Sequence, residues 1–327
     1  MNWTNKRVLV TGAGGFIGSH LAEALVEAGA KTRAFVLYNS LGSREWLDIS
    51  PLASEMEIFS GDICDNSTVA ASMKGIDIVF HLAAMIAIPY SYIAPRSYVQ
   101  TNILGTLNVL QSARESGVTR VVHTSTSEVY GTAQKVPIDE SHPLRGQSPY
   151  SASKIGADKM AEAFGCSYQL PIVTIRPFNT YGPRQSSRAV IPTIISQCLS
   201  DNIITLGNIS STRDFTFVTD TVRGFLAAAE VPSAIGQTIN LGVGREISIE
   251  NLTQKIARLI KANVQIVADT RRFRPSDSEV DRLLSDNTKA LTILGWQPET
   301  SLHQGLQATI QWVQENSEKF KTNEYVI

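Results

Sequence analysis

The sequence predicts an α/β fold, a doubly wound parallel sheet with a smaller C-terminal lobe. Three observations predict it. Arg7-Val-Leu-Val-Thr-Gly12 is a short apolar run that passes through a glycine-rich turn into a stretch of helical spacing. Apolar runs and helical stretches then alternate as far as Arg176. At Pro177 that alternation breaks into loops and shorter elements. Alternating strands and helices specify a parallel sheet whose crossovers cover both faces.

The first strand, Arg7–Gly12, reads as buried on both faces because it lacks polar alternation. Gly12-Ala-Gly-Gly15-Phe-Ile-Gly18 follows, and the helix Ser19–Ala28 ends at Gly29, a capping residue. Strand, glycine turn and helix in that order are the context of the Rossmann dinucleotide fingerprint. Gly12 permits the tight turn, Gly15 the approach of backbone to pyrophosphate, and Gly18 close packing of helix on strand. The helix N-terminus, with Phe16 and Ile17, then faces the phosphates.

Thr32–Leu37 is the second strand, and a carboxylate near its end would normally hold the adenosine ribose. Leu37-Tyr38-Asn39-Ser40 offers none, which leaves Asn39 for the ribose and Arg44 for a 2′-phosphate. The sequence leaves NAD as the preferred cofactor, with NADP as the alternative. A third strand runs 57–63 and places Asp62 and Ile63 at the carboxyl end of the sheet, where ligands bind. A fourth, 76–84, opens into Leu82, Ala83 and Ala84, small enough for a flat cofactor to lie close. His81 reads as a packed strand-end histidine. Residues 86–95 read as an active-site loop and 98–117 as a helix carrying Asn102 and Gly105. The fifth strand is 120–125, followed after a loop by a helix from Tyr150 to about Tyr168 and a sixth strand, 171–176. Beyond these lie helices at 219–229, 248–261 and 302–315, a strand-like stretch at 237–241 and a basic loop at 270–275. The expected division is a dinucleotide-binding domain over 1–178, with a contribution from about 215–242. The lobe would take 179–214 and 243–327.

Composition excludes several functions. A formal net charge of −1 gives no global attraction to nucleic acid or to an anionic membrane. Local arginines must therefore hold any anionic ligand. The three cysteines (Cys64, Cys166, Cys198) are scattered, without the spacing of a zinc site or disulfide framework. No run approaches the roughly 20 apolar residues of a membrane span, and the start of the chain carries no apolar leader. A soluble cytoplasmic protein with no metal is expected.

Chemistry concentrates between Ser125 and Lys154. Tyr150 and Lys154, four residues apart, share one helical face. A phenol with an ordinary pKa of about 10 is a poor base at neutral pH. A nearby ammonium favours the phenolate, and such a tyrosine can take a proton from a substrate hydroxyl while hydride leaves the same carbon. Thr126 can share that hydrogen bond. Glu128 adds a carboxylate that simple alcohol oxidation would not need.

Together these residues resemble the extended short-chain dehydrogenase/reductases that act on nucleotide sugars. The resemblance is carried by the glycine turn, Asp62, His81-Leu-Ala-Ala84, Asn102, Ser125–Gly131 and Tyr150-x-x-x-Lys154. It continues through Arg176-Pro-Phe-Asn179, Arg213-Asp-Phe215 and Arg274-Pro275, so that it spans nearly the whole chain. It implies a catalytic triad of Thr126, Tyr150 and Lys154. It implies that Asn179, Arg213 and Arg274 hold a nucleoside diphosphate, and that two copies pair through helices 98–117 and 150–168 as a homodimer.

Thr126-Ser127-Glu128 resembles the Thr-Ser-Glu of GDP-mannose 4,6-dehydratases and of UDP-glucuronate decarboxylases. The dTDP-glucose 4,6-dehydratases carry Asp in place of Ser127, and simple 4-epimerases generally lack the glutamate. Residues 89–95 and 147–158 resemble most the N-acetylglucosamine nucleotide 4,6-dehydratases of legionaminic acid biosynthesis. The implied reaction gives a 4-keto-6-deoxy sugar from a GDP- or UDP-linked hexose. Tyr150 acts at the C4 hydroxyl, Glu128 at the C5 hydrogen, and Glu128 or Ser127 protonates the leaving hydroxyl. The alternatives are a decarboxylase, which needs no C5 base, a 4-epimerase, and a catalytically silent nucleotide-sensing protein. A decarboxylase would want a cation at the C6 carboxylate, for which Arg184 and Arg188 are unassigned.

Overall fold

The computed structural model describes residues 2–201 and 203–320. In chain order the first half contains β1 (Arg7–Thr11), α1 (Phe16–Glu27), β2 (Lys31–Leu37), β3 (Glu57–Gly61), α2 (Asn66–Met73) and β4 (Ile78–His81). α3 (Ile88–Ile93) and α4 (Pro95–Tyr98) follow, and a π-helical stretch, Val99–Leu104, leads into α5 (Gly105–Glu115). Then come β5 (Arg120–Thr124), α6 (Pro149–Tyr168) and β6 (Ile172–Pro177). The second half contains β7 (Thr180–Tyr181), α7 (Val190–Ser200), β8 (Ile203–Leu206), β9 (Thr212–Asp214), β10 (Thr216–Phe217) and α8 (Val218–Glu230). It closes with β11 (Thr238–Leu241), β12 (Glu246–Ser248), α9 (Ile249–Ile260), β13 (Gln265–Ala268), β14 (Arg282–Leu283), α10 (Thr288–Leu294) and α11 (Leu302–Glu315).

Seven strands form one parallel sheet in the order β11-β6-β5-β4-β1-β2-β3. β1 lies between β2 and β4, so the crossovers change direction at its carboxyl end. That is the switch point where open α/β sheets bind ligands. Alternation along β1 explains the two covering layers. Val8 and Val10 pack with Leu21 and Leu25 of α1 and Phe225 of α8 on one face. Leu9 packs with Met73 of α2, Val109 of α5 and Phe164 of α6 on the other. Burial of each such side chain is worth about 1.5–3 kcal/mol.

A third apolar cluster joins α7, α9 and α11 through Ile191, Ile194, Leu252, Ile256, Leu306 and Ile310. Small sheets β12-β9-β14 and β13-β8 flank it. This is the smaller C-terminal part, and Phe16 and Ile17 at the start of α1 pack against it.

The structure departs from the sequence reading in several places: α1 begins at Phe16, three residues before Ser19, because the glycine turn itself opens the helix, and β4 spans only Ile78–His81, so Leu82–Ala84 lie past it. Residues 88–93 and 95–98 are two short helices, not a loop; Pro89 and Pro95 fall in their first turns, where a missing N–H costs nothing. The helix read over 98–117 passes through the π-helical stretch that contains Asn102. α7 falls in a region read as loops, since its β-branched run gives no clear period. β3 ends at Gly61, so Asp62 and Ile63 lie just past the strand. Among the described residues no helix is long and apolar enough to cross a membrane.

Candidate active site

The glycine turn is shaped by lack of room. Gly12 has φ +70°, and a Cβ there would stand 2.8 Å from the Ala83 nitrogen. A Cβ on Gly18 would lie 2.0 Å from the Gly12 carbonyl oxygen. The turn is thus pressed against the end of β4, and α1 against the turn. Gly15 caps α1 with no side-chain hydrogen bond, leaving the first helical amides, beginning at Phe16, free for an anion. Leu82, Ala83 and Ala84 are only partly buried and form a low wall beside it. These residues fit a dinucleotide.

Other predicted contacts divide. Ile63 is buried against Gly105, where a Cβ would come within 2.7 Å of its side chain. Asp62 accepts the Cys64 N–H at 2.9 Å and remains exposed at the strand end. Asn39 is committed to its own turn. Its Nδ2 donates to the Ser43 carbonyl at 2.7 Å, and its Oδ1 accepts from Leu41 and Ser43 amides at 3.2 and 3.1 Å. Bonding a ribose would require Asn39 to give up these bonds.

The predicted catalytic residues converge where β5 and α6 meet. Thr126 is extended and caps a 3-10 turn, Ser127–Tyr130, by accepting the Glu128 N–H at 3.2 Å. Ser127 is buried within that turn. Ser148 and Ser151 form a reciprocal capping box that starts α6 one residue before Tyr150. Tyr150 and Lys154 are thereby held on one buried face, with Tyr98 edge-on to Tyr150 at 6.2 Å. Lys154 Nζ donates to the Thr124 carbonyl at 2.6 Å.

Electrostatics corrects one expectation. Burial pushes the Tyr150 phenol up, not down; its hydrogen bond with Thr126 opposes this, and the charge of Glu128 adds to it. Burial pulls Lys154 itself down from 10.5 to about 8, opposed by the negative charge of Asp158.

The predicted acid and arginines meet at the same place. The Glu128 carboxylate lies 3.7 Å from Arg274 Nη1. Arg213 is 6 % exposed, lies 3.8 Å from Glu279 and feels both Glu128 and Arg274. Two polar atoms here are buried with no hydrogen-bond partner among the described residues, Asn179 Oδ1 and Arg274 Nη1. Both suit a polar ligand.

Sequence reading missed the support beneath. Asp158, one turn past Lys154, accepts from Ser125 Oγ at 2.7 Å and from Arg176 Nη2 at 2.9 Å, and pairs with His123 Nε2 at 3.1 Å. Burial would raise its pKa, but these partners hold it down. The Tyr150, Lys154, Asp158 spacing carried the signal. Asn102 was noticed without a role; it clamps Met85 N–H and carbonyl at 2.8 and 3.0 Å and donates to Ser153 Oγ at 2.9 Å. His81 sits between the Thr11 and Thr106 hydroxyls at 2.8 and 2.9 Å, with burial keeping it neutral, as a packed histidine would be. Arg184 is taken by Glu23 in two bonds of 2.9 Å, and Arg188 is exposed. Among the described residues no His, Cys, Asp and Glu group has the makings of a metal site.

A parallel sheet with a glycine turn at its switch point, and Tyr150, Lys154 and Thr126 at its carboxyl edge, defines an extended short-chain dehydrogenase/reductase of the nucleotide-sugar type. More narrowly, the chain belongs to the GDP-mannose 4,6 dehydratase family, which matches residues 9–309. It is 34% identical over 324 residues to a UDP-glucose 4-epimerase of Mycolicibacterium smegmatis, covering 95% of this chain and 100% of that one. It is 31% identical over 329 residues to the dTDP-D-glucose 4,6-dehydratase of Homo sapiens, covering 98% and 93%. Among solved structures it resembles DesIV, a dTDP-glucose 4,6-dehydratase from Streptomyces venezuelae with NAD and TYD bound. That likeness has a TM-score of 0.86 and 31% identity, over 96% of this chain and 99% of that one. The epimerase Mth375 from Methanothermobacter thermautotrophicus gives a TM-score of 0.89 at 35% identity, over 97% and 94%. Dehydratases and epimerases thus both stand among its relatives.

Proposed function

We propose that this protein is an NAD-dependent nucleotide-sugar 4,6-dehydratase, acting on a GDP- or UDP-linked N-acetylglucosamine or related hexose. The observation that carries the reading is Glu128. Its carboxylate stands close enough to influence the Tyr150 phenol and lies beside Arg213 and Arg274. An epimerase has no use for a base at C5.

Bound NAD supplies reversible hydride transfer, out of C4 and back at C6. The chain's own residues move the protons. Tyr150 takes the C4 hydroxyl proton, with Thr126 sharing the hydrogen bond. Lys154 orients the nicotinamide ribose and, once a phenolate forms, favours it through space. Glu128 removes the C5 hydrogen made acidic by the neighbouring ketone. The departing C6 hydroxyl takes a proton from Glu128 or through Ser127, and leaves as water; as hydride returns to C6, C5 takes a proton from solvent and Tyr150 gives up to solvent the one it took at C4. Arg213, Arg274 and Asn179 hold the nucleoside diphosphate. In this division residues 1–178 and about 215–242 bind the dinucleotide, and 179–214 with 243–327 bind the sugar nucleotide.

The homodimer belongs to the same proposal. It is supported by half-exposed apolar side chains at Val99 and Leu104 between α4 and α5 and at Tyr168 of α6. A cytoplasmic location is supported by cysteines 64, 166 and 198, all free thiols.

A second reading, 4-epimerase, is favoured by the 34% identity to the M. smegmatis protein. One experiment separates the two. The purified protein is incubated with a panel of GDP- and UDP-sugars and the products are weighed. Loss of one water supports the dehydratase, and loss of carbon dioxide would mark a decarboxylase. A product of unchanged mass but altered C4 configuration would replace the proposal with epimerisation.

A further inference from the structure

The end of β2 offers no carboxylate to a ribose, and Asn39 is occupied. The loop after it supplies what is missing. Asn39 and Asp48 tie this loop into a turn, with Asp48 Oδ2 accepting from Ser43 Oγ at 2.8 Å and from the Arg44 amide at 3.1 Å. The turn folds back over the glycine-rich segment, where the Trp46 N–H donates to the Gly14 carbonyl at 3.0 Å. A Cβ on Gly14 would lie 2.7 Å from the Arg44 carbonyl oxygen and 3.2 Å from a Glu45 carboxylate oxygen. From behind, Trp312 of α11 meets Trp46 edge-on at 5.2 Å, and Lys319 Nζ lies 5.1 Å from the Trp46 ring centre. The loop is therefore backed by the C-terminal helix.

Glu45 is the unusual residue in it. Its φ is +56°, a left-handed conformation that a glutamate adopts at a cost. Among the described residues its carboxylate has no hydrogen-bond or ion-pair partner; the residue is exposed, yet the protein around the carboxyl pushes its pKa up. No amide of the glycine turn donates to it, so the α1 N-terminus remains available to phosphate.

We propose that Glu45 reads the adenosine ribose of the dinucleotide, accepting its hydroxyls and rejecting a 2′-phosphate. This rests on the dinucleotide reading given above. A ribose diol offers two O–H donors, and a carboxylate is acceptor-only. Hydrogen bonds to a charged acceptor are about twice as strong as neutral ones. A 2′-phosphate would bring a second anion against the first, and like charges at contact distance repel. Glu45 thus sets a preference for NAD over NADP from a position one loop later than the strand end. The exposed Arg44 beside it is the competing determinant, since it would favour the phosphate.

The test is calorimetric titration of the full chain with NAD and with NADP. The unaltered protein should bind NAD at least about tenfold more tightly. Glu45→Gln should weaken NAD and shrink the ratio by about tenfold. Glu45→Gly removes the same carboxylate while relieving the left-handed backbone, so a folding defect in the first variant cannot hide the answer. An unchanged ratio in either folded variant would overturn the proposal. So would an unaltered protein that binds NADP as tightly as NAD, which would hand the role to Arg44. Binding of neither dinucleotide would sink the underlying cofactor reading as well, a distinguishable result.

Discussion

Replacing Lys154 with Met tests the electrostatics of the site through stability alone. The ammonium is buried, and its pKa falls from 10.5 to about 8. The charged form is therefore disfavoured in the fold. At pH 7 both folded and unfolded chains carry the proton, so the penalty is present in full, about 3 kcal/mol. Above pH 8 the folded chain releases the proton while the unfolded chain keeps it. Stability rises with pH wherever the unfolded state binds more protons, so the penalty is relieved between about pH 8 and 10.5. At pH 9.5 it has shrunk to about 1 kcal/mol. Methionine fills similar volume without charge and removes the penalty at every pH. Loss of the Nζ bond to Thr124 offsets part of the gain, but equally across this range. The difference in stability between variant and parent should therefore change by about 2 kcal/mol between pH 7 and 9.5, or roughly 3 °C in melting temperature for a chain of 327 residues. Denaturant melts of dinucleotide-free protein at four or five pH values would measure it. A difference that stays flat across this range would refute the reasoning.

Glu128→Gln should lower dehydratase turnover by about 10²–10⁴-fold, the usual worth of one general base, and leave dinucleotide affinity intact. Mass-detected turnover beside calorimetric binding checks both halves, and full turnover would remove Glu128 from the mechanism. Asp158→Asn should cost about 3–5 kcal/mol, because it strands the buried Arg176 guanidinium. A thermal melt within about 2 °C of the parent would contradict that, given about 1.5 °C per kcal/mol for a chain of 327 residues. The same variant should also move the Lys154 pKa further down, since the Asp158 charge is what opposes burial there. The alkaline limb of the parent's stability difference would then begin at lower pH.

Much of the site was legible in one dimension because its signals are local. The glycine turn declares itself through the strand before it and the helix after it, and Gly12 and Gly18 occupy places with no room for a Cβ. Tyr150 and Lys154 share a face through helical periodicity, which a capping box fixes. Arg213, Arg274 and Glu128 were each visible as motif residues. That they would meet was not, since β9, the segment before β14 and the turn after β5 are brought together only by packing.

What the sequence determined by itself was the class: a parallel sheet, a phosphate-binding turn and a Tyr-Lys pair. These follow from short-range rules of spacing, chirality and capping. What only the tertiary structure decided was how each group behaves. Burial raises the Tyr150 phenol that the helix pairing was expected to lower, and Lys154 donates to the Thr124 carbonyl. A loop with no recognisable signal lays Glu45 on the glycine turn. Desolvation and close approach depend on which distant segments surround a group, and no local pattern of residues encodes them.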